Sequence, residues 1–242
     1  MKETILHLVR FFDKEEYADQ FLRGRLRLNR LRYYKRLEAS KDGRADYAEA
    51  PAAWWQKDNF TIEFHDHPEL NIRPEHLVGP VLFSFDSYDD LSVLCMTAIH
   101  TGEFDLDCET GLISLPEGDE DKLRAQLRID PRCYEMGSFA VVARGADFVL
   151  RAKNAIEALS YGYNSTLVDY FDPATFHGQF LLAEVPFQKR NTFAYQSEYR
   201  LCVDTRTKGD DVVWIDIGDI SDIAAKMPAQ DVNTLQVRFE AA

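Results

Sequence analysis

Apolar and polar positions along this chain follow two periods, and the switches between them mark the predicted elements. Residues 4–12 (TILHLVRFF) read as a strand. The next stretch, DKEEYADQFLRG, places Tyr17, Phe21 and Leu22 on one face of a 3.6-residue period, which predicts a helix. Asp13 stands three residues before Glu16, the spacing of a capping box, and Gly24 is the expected stop. RLRLN then alternates as a half-buried strand does, and a short helix is expected over 30–38. A polar stretch at 40–55, ending in Trp54 and Trp55, reads as a long loop.

Beyond the loop, 59–64 brings Phe60, Ile62 and Phe64 to one side, a strand pattern. Further strands are expected at 81–85, 139–143, 166–171, 180–185, 195–203 and 212–217, with 236–240 as a last edge strand. Residues 91–99 are apolar throughout, and periodicity fits either strand or helix. The stretch 103–121 is acidic and reads as surface, and helices are expected at 119–127, 147–159 and 219–226. Strands outnumber helices and do not alternate with them regularly. The expectation is therefore a single α+β domain over residues 1–242, with mixed or antiparallel sheets and peripheral helices.

Composition sharpens this picture. Hydrophobic residues make up 45% of the 242 positions, including 16 Phe, 11 Tyr and 3 Trp, which is enough for a large core and excludes a disordered chain. The formal net charge of −13 disfavours non-specific coating of nucleic acid while leaving room for a local basic site. Cys95, Cys108, Cys133 and Cys202 are scattered, with no CxxC pair, and are expected to be reduced thiols. MKETILHLVRFF carries Glu3, His7 and Arg10 where a signal peptide would be apolar, and no run reaches the length of a spanning helix. A cytoplasmic location is the expectation.

Six groups of residues could carry chemistry. In PFQKRNTFAYQSEYRLCVD, strand alternation puts Gln196, Glu198 and Arg200 on one face and Ser197, Tyr199 and Leu201 on the other. This is either a structural Glu–Arg pair or a carboxylate beside an amide in a cleft. His7 and Arg10 lie on a strand that runs into a helix, and arginine grips phosphate through a planar fork. In LFSFDS, Ser84 points into a cleft if Phe83 and Phe85 face the core, although ordinary alternation explains the same pattern. Arg44, Asp46 and Glu49 occupy the long loop, where acids can clamp a ribose or Mg²⁺. Residues 23–36 contain Arg23, Arg25, Arg27, Arg30, Arg32, Lys35 and Arg36, no acid, and the interleaved Tyr33 and Tyr34. Arginines among aromatics suit phosphates and stacked bases, and equally a solvated face. Finally, His65 and His67 share a face if they lie on a strand, but their spacing matches no zinc signature and no metal is assigned. No GxGxxG, P-loop, HExxH or GxSxG motif occurs.

The order of these pieces resembles the ADP-ribosyltransferase superfamily. There, a first strand carries Arg or His and runs into a helix, a middle strand carries Ser or Tyr, and a late strand carries the catalytic Glu, often as Gln-x-Glu. The matching positions are Arg10 or His7, Ser84, and Gln196-Ser197-Glu198. The middle motif, Phe-Ser-Phe-Asp-Ser, departs from the Ser-Thr-Ser of the arginine-specific enzymes, and Arg200 follows Glu198 closely. The chain also resembles uncharacterised bacterial proteins found among defence genes, through RFFDKEEYADQFLRGRLRLN, GRADYAEA and QKRNTFAYQSEYRL.

The first resemblance implies NAD as substrate, with Glu198 facing the oxocarbenium-like ribose, the same electrostatic problem that glycosidases solve. It also implies that Arg10 or His7 holds the diphosphate or ribose, Ser84 orients the ribose or Glu198, and Gln196 positions the acceptor. Tyr33 or Tyr34 would stack on a ring. The expected role is a toxin or antiviral-defence enzyme, with RNA or DNA as acceptor through 23–36 and an antitoxin or inhibitor protein as a further partner. The alternatives are a metal-dependent nuclease using Asp46, Glu49 and the His65/His67 pair, or a non-catalytic binding module.

Overall fold

A computed structural model describes residues 3–36, 48–104 and 118–234. Arg44, Asp46, Cys108, the predicted strand at 236–240 and most of the acidic stretch at 103–121 lie outside the described residues.

The chain forms an α+β fold around one large antiparallel sheet. Its path runs β12 (Val213–Asp216), β2 (Arg25–Arg30), β5 (Ser92–His100), β1 (Ile5–Phe12), β6 (Phe139–Arg144) and β13 (Ala224–Pro228). β11 (Glu198–Asp204) also pairs with β5, and β7 (Gly162–Leu167) pairs with β11. A small sheet joins β4 (Val81–Phe83), β3 (Ala53–Trp55) and β9 (Gly178–Gln179). β8 (Asp169–Phe171) and β10 (Gln188–Arg190) form a short parallel pair. Among the described residues no helix is long and apolar enough to cross a membrane.

Strand pairing opens a split in the main sheet. β11 occupies one edge of β5 from Ser92 to Thr97. The opposite edge is shared by β2, which pairs at Ser92 and Val93, and β1, which pairs from Thr97 to His100. Between them, neither strand covers Leu94, Cys95 or Met96. The Arg10 guanidinium fills part of this gap by donating to the Cys95 carbonyl, a backbone acceptor that would otherwise lack a ladder partner.

The two faces of the sheet differ. Leu8, Leu26, Leu28, Leu94, Met96, Val141, Ala143, Leu201 and Val203 form a continuous apolar core with α1 (Glu15–Leu22) and α5 (Gly145–Ala158), which contribute Ala18, Phe21, Phe148, Ala152 and Ile156. On the other face the apolar residues fall into two separate groups, one around Val9, Phe11 and Val142, the other around Val93, Cys202, Val185 and Phe187.

Several expectations are corrected by pairing and packing. α1 starts without its capping box, because the N-cap is Lys14 in extended geometry and makes no side-chain cap bond. Gly24 does end the helix region, with φ 83°, and a Cβ there would lie 1.9 Å from the Gly218 carbonyl oxygen. The 59–64 pattern finds only one isolated bridge, Ile62 with Ile72, and Phe64 is exposed. Residues 180–185 form turns that leave Leu181 and Leu182 exposed. The helix expected at 219–226 is a turn followed by β13, with Ile220 and Ile223 buried in the core. Residues 91–99 belong to a strand, β5.

Candidate functional site

The split and the less apolar face meet at a cavity of about 110 Å³. It is lined by Arg10 and Phe11 of β1, Arg27 and Asn29 of β2, Cys95 and Thr97 of β5, Tyr33 and Tyr34 of α2 (Leu31–Arg36), and a buried charged group. That volume equals roughly three or four waters at ~30 Å³ each. It is below the ~300 Å³ of a pocket that encloses a whole drug-sized ligand.

The charged group comprises Glu49, Lys189, Glu198 and Arg200, each at most 4% exposed. β11 places Glu198 and Arg200 on one face, as the two-residue period predicts. Arg200 Nε donates to Glu198 Oε1 at 2.7 Å, Nη1 donates to the Pro186 carbonyl at 2.6 Å, and Nη1 also lies 2.6 Å from Glu49 Oε1. Lys189 Nζ, from β10, donates to Glu198 Oε2 and to Gln196 Oε1, both at 2.9 Å, and sits 4.0 Å from Glu49 Oε2. Two acids and two bases thus cancel in the interior, which is the condition under which buried charges are tolerated.

Both acids adjoin strained backbone. Ala50 follows Glu49 with φ 53°, and Ser197 precedes Glu198 with φ 42°. Left-handed non-glycine residues cost energy and cluster where surrounding structure demands a particular aim. At Ser197 this corrects the expected arrangement. Gln196 ends a 3-10 turn (Asn191–Gln196) instead of lying on the strand, and the left-handed step at Ser197 is what brings it beside Glu198.

Burial alone would oppose the charge on Glu198. The Arg200 guanidinium and Lys189 ammonium, with hydrogen bonds from Cys95 and Lys189, override it and hold the carboxyl well below the usual range. Burial would likewise lower Lys189, but Glu198 and Glu49 raise it. Burial, reinforced by Glu198, pushes the Cys95 thiol up to about 12, so it is no ready nucleophile.

The other predicted residues divide. Arg10, Tyr33, Tyr34, Gln196 and Glu198 all line the cavity. His7 does not line it; its side chain is exposed on β1. Ser84 is also outside: it follows β4, is exposed, and sits between Phe83 and Phe85, which are themselves exposed rather than core-facing.

The basic run is not one surface. Arg25 and Arg27 share the cavity-side face of β2 with Asn29, and Arg25 lies 5.0 Å over the Trp214 ring. Arg23 is exposed. Arg30, by contrast, is 3% exposed and bonded to Thr205, Thr207 and the carbonyls of Asp90 and Asp211, so it cannot meet a nucleic acid. Arg32 pairs with Asp90, Lys35 with Asp89 and Arg36 with Asp210. Acids distant in sequence neutralise a stretch that contains none.

Among the described residues no three His, Cys, Asp or Glu side chains could share a metal ion. His67 instead contacts Glu69 at 3.1 Å.

A larger hollow of about 360 Å³ lies on the other side of the start of β11, with Ser197, His100, Gln126 and Tyr170 in its wall. His100 Nε2 is 3.1 Å from Ser197 Oγ. The Gly102 N–H donates to His100 Nδ1, and the Gln126 amide lies 3.3 Å from His100 Nε2. The Ser197 hydroxyl donates to the Ala98 carbonyl. These contacts tie the Ser197 side chain, at the strained turn, to β5.

Sequence reasoning gave Asn29 no part, held Lys189 only within the stretch QKRNTFAYQSEYRL, and read Glu49 as a loop acid for a ribose or Mg²⁺. The only available signal was the QKR…QSEYR spacing, which says nothing about folding back.

Comparison with known proteins returns no matching family model, no similar curated protein and no similar solved structure.

Proposed function

We propose that the cavity binds a phosphorylated ligand bearing a flat ring, and that the chain transfers ADP-ribose from NAD⁺ there. One observation carries this reading: Arg10 of the first strand and Glu198 of a late strand, 188 positions apart, line one cavity with Tyr33 and Tyr34. In a protein of net charge −13, this cavity's charges balance to two positive. The excess comes from Arg10 and Arg27, neither of which has an acidic partner among the described residues. Guanidinium groups free of carboxylates suit a diphosphate.

In this reading the cavity takes the nicotinamide end, and the remainder of the dinucleotide crosses the exposed rim at Tyr33 and Arg27. Cleavage of the nicotinamide–ribose bond leaves positive charge on the ribose, and the ionised Glu198 stabilises it. Gln196 positions the acceptor, a nucleic acid approaching along Arg25 and Arg27. Incubation with labelled NAD⁺ plus RNA, DNA and lysate, with and without chelator, tests it. Turnover that is lost in Glu198→Gln is the expected result, and a Glu198→Gln protein of wild-type activity overturns it.

A second reading draws on the full occupation of Glu198: both carboxylate oxygens already have cationic partners. There the group is a structural centre of a non-catalytic binding module. Ligand binding without turnover, with loss of folding in Glu198→Ala, would favour it.

A further inference from the structure

Lys189 is a buried ammonium that touches both side chains to which the reaction above gives a part. It reaches them from outside their own strand. β10 runs parallel to β8 in a register that pairs Lys189 with Tyr170. Lys189 Nζ grips the Glu198 side chain, while the Tyr170 hydroxyl accepts the Glu198 backbone N–H at 2.9 Å. A single pair of residues across two short strands thus fixes Glu198 at its backbone and at one carboxylate oxygen. The same ammonium holds the Gln196 amide at 2.9 Å and lies 4.8 Å from the Phe193 ring, so its position is set from three directions. Arg200 already satisfies Oε1 of Glu198 and contacts Glu49. Lys189 is not needed to neutralise Glu198 alone, but without it the buried group carries one excess negative charge.

We propose that Lys189 is the positioning residue of this site, holding the Gln196 amide and the Glu198 carboxylate at one fixed separation and leaving Oε1 to Arg200. The parts given to Gln196 and Glu198 rest on the proposed transfer reaction; the geometric claim does not. The groups facing Glu198 are Arg200 on its own strand, Lys189 on β10, Glu49 before β3, Cys95 on β5, Tyr170 on β8, Tyr34 on α2 and Arg10 on β1. Of these, Lys189 is the cation that also binds the neighbouring amide.

The test compares Lys189→Met, Lys189→Arg and the double variant Lys189→Met/Glu49→Gln in the full chain. The Glu198 carboxyl is followed by ¹³C NMR titration of the ligand-free protein, with Glu198→Gln assigning the signal. Its midpoint should rise by about 1–3 pH units in Lys189→Met, the usual effect of losing an adjacent opposite charge, and stay low in Lys189→Arg. NAD⁺ turnover should fall about 100-fold in Lys189→Met, the scale of a small misplacement of a reacting group. The loss should appear in kcat more than in KM, with partial recovery in Lys189→Arg. If Lys189→Met does not fold, the double variant, whose interior charges balance again, carries the comparison. An unchanged Glu198 titration in folded Lys189→Met overturns the proposal. So does full turnover in the double variant, because charge balance without positioning would then suffice. A wild-type protein that never consumes NAD⁺ sinks the transfer reaction, yet the titration still decides the role of Lys189.

Discussion

The two faces of the main sheet are made from the same strands, residue by residue in alternation, yet they solve opposite problems. On one face Leu94, Met96, Leu201 and Val203 meet α1 and α5 in a continuous apolar layer. On the other, the intervening positions include Cys95, Thr97, Glu198 and Arg200, and the apolar residues separate into two groups with charges between them. The first face derives its stability from area removed from water. The second buries four charges whose desolvation is offset only while acids and bases balance. That cluster lies beside a split in the sheet and next to two strained backbone positions, Ala50 and Ser197.

The largest test of the contrast removes Arg200. Arg200→Leu leaves Lys189 as the one cation bonded to the buried acids, and breaking a buried ionic group by deleting one partner costs about 3–5 kcal/mol. Leu94→Ala on the opposite face should cost about 3 kcal/mol, through lost burial and a residual cavity. The sizes are close, so pH separates them. Denaturant unfolding should show the Arg200→Leu deficit shrinking toward low pH, because the Glu198 carboxyl that Arg200 holds ionised is then protonated in both proteins, while the Leu94→Ala deficit stays constant. Parallel pH profiles for the two would mean that the faces do not differ as described.

A smaller effect follows in the unmodified protein. The Glu198 carboxyl is depressed below its ordinary 4.5, chiefly by Arg200 and Lys189 working against burial. A depressed acid adds stability that is fully present above its unfolded value and lost as pH falls toward the folded one. Acid unfolding should therefore steepen below about pH 4.5, and Glu198→Gln should flatten that limb. Lys189 has the opposite sign. Its raised value adds stability that is present below 10.5 and lost only as pH climbs past it.

How much of this could be read beforehand depends on how far apart the partners are in the chain. Glu198 and Arg200 were visible because one strand's two-residue period puts them together. Arg10 and the helix behind it were visible for the same local reason. Lys189 was not, since it reaches Glu198 through the β8–β10 pairing, which leaves no periodic trace. Glu49 read as a loop acid for a ribose or Mg²⁺, because nothing near it signals that Arg200 will cover it. The basic run misled in the converse way: Asp89, Asp90 and Asp210 are more than 50 positions from the arginines and lysine they neutralise. Patterns without partners also misled, as at 59–64, where alternation is real but among the described residues no strand pairs with it beyond one bridge.

The rim sharpens the comparison at lower amplitude. Arg27 is exposed, lines the cavity and has no acidic partner among the described residues. Arg27→Ala should leave folding almost untouched, within about 0.5 kcal/mol, as surface changes usually do. It should weaken binding of ADP-ribose, measured by calorimetry, by about tenfold or more, the value of one hydrogen bond to a charged group. Ser84→Ala is the quiet control. Ser84 is exposed beside β4 and away from the cavity, so both stability and NAD⁺ turnover should match the wild type. If Ser84→Ala lost turnover while Arg27→Ala kept its affinity, the reacting centre would have to lie beside the small sheet. The charged face would then be an unusual piece of structural core and nothing more.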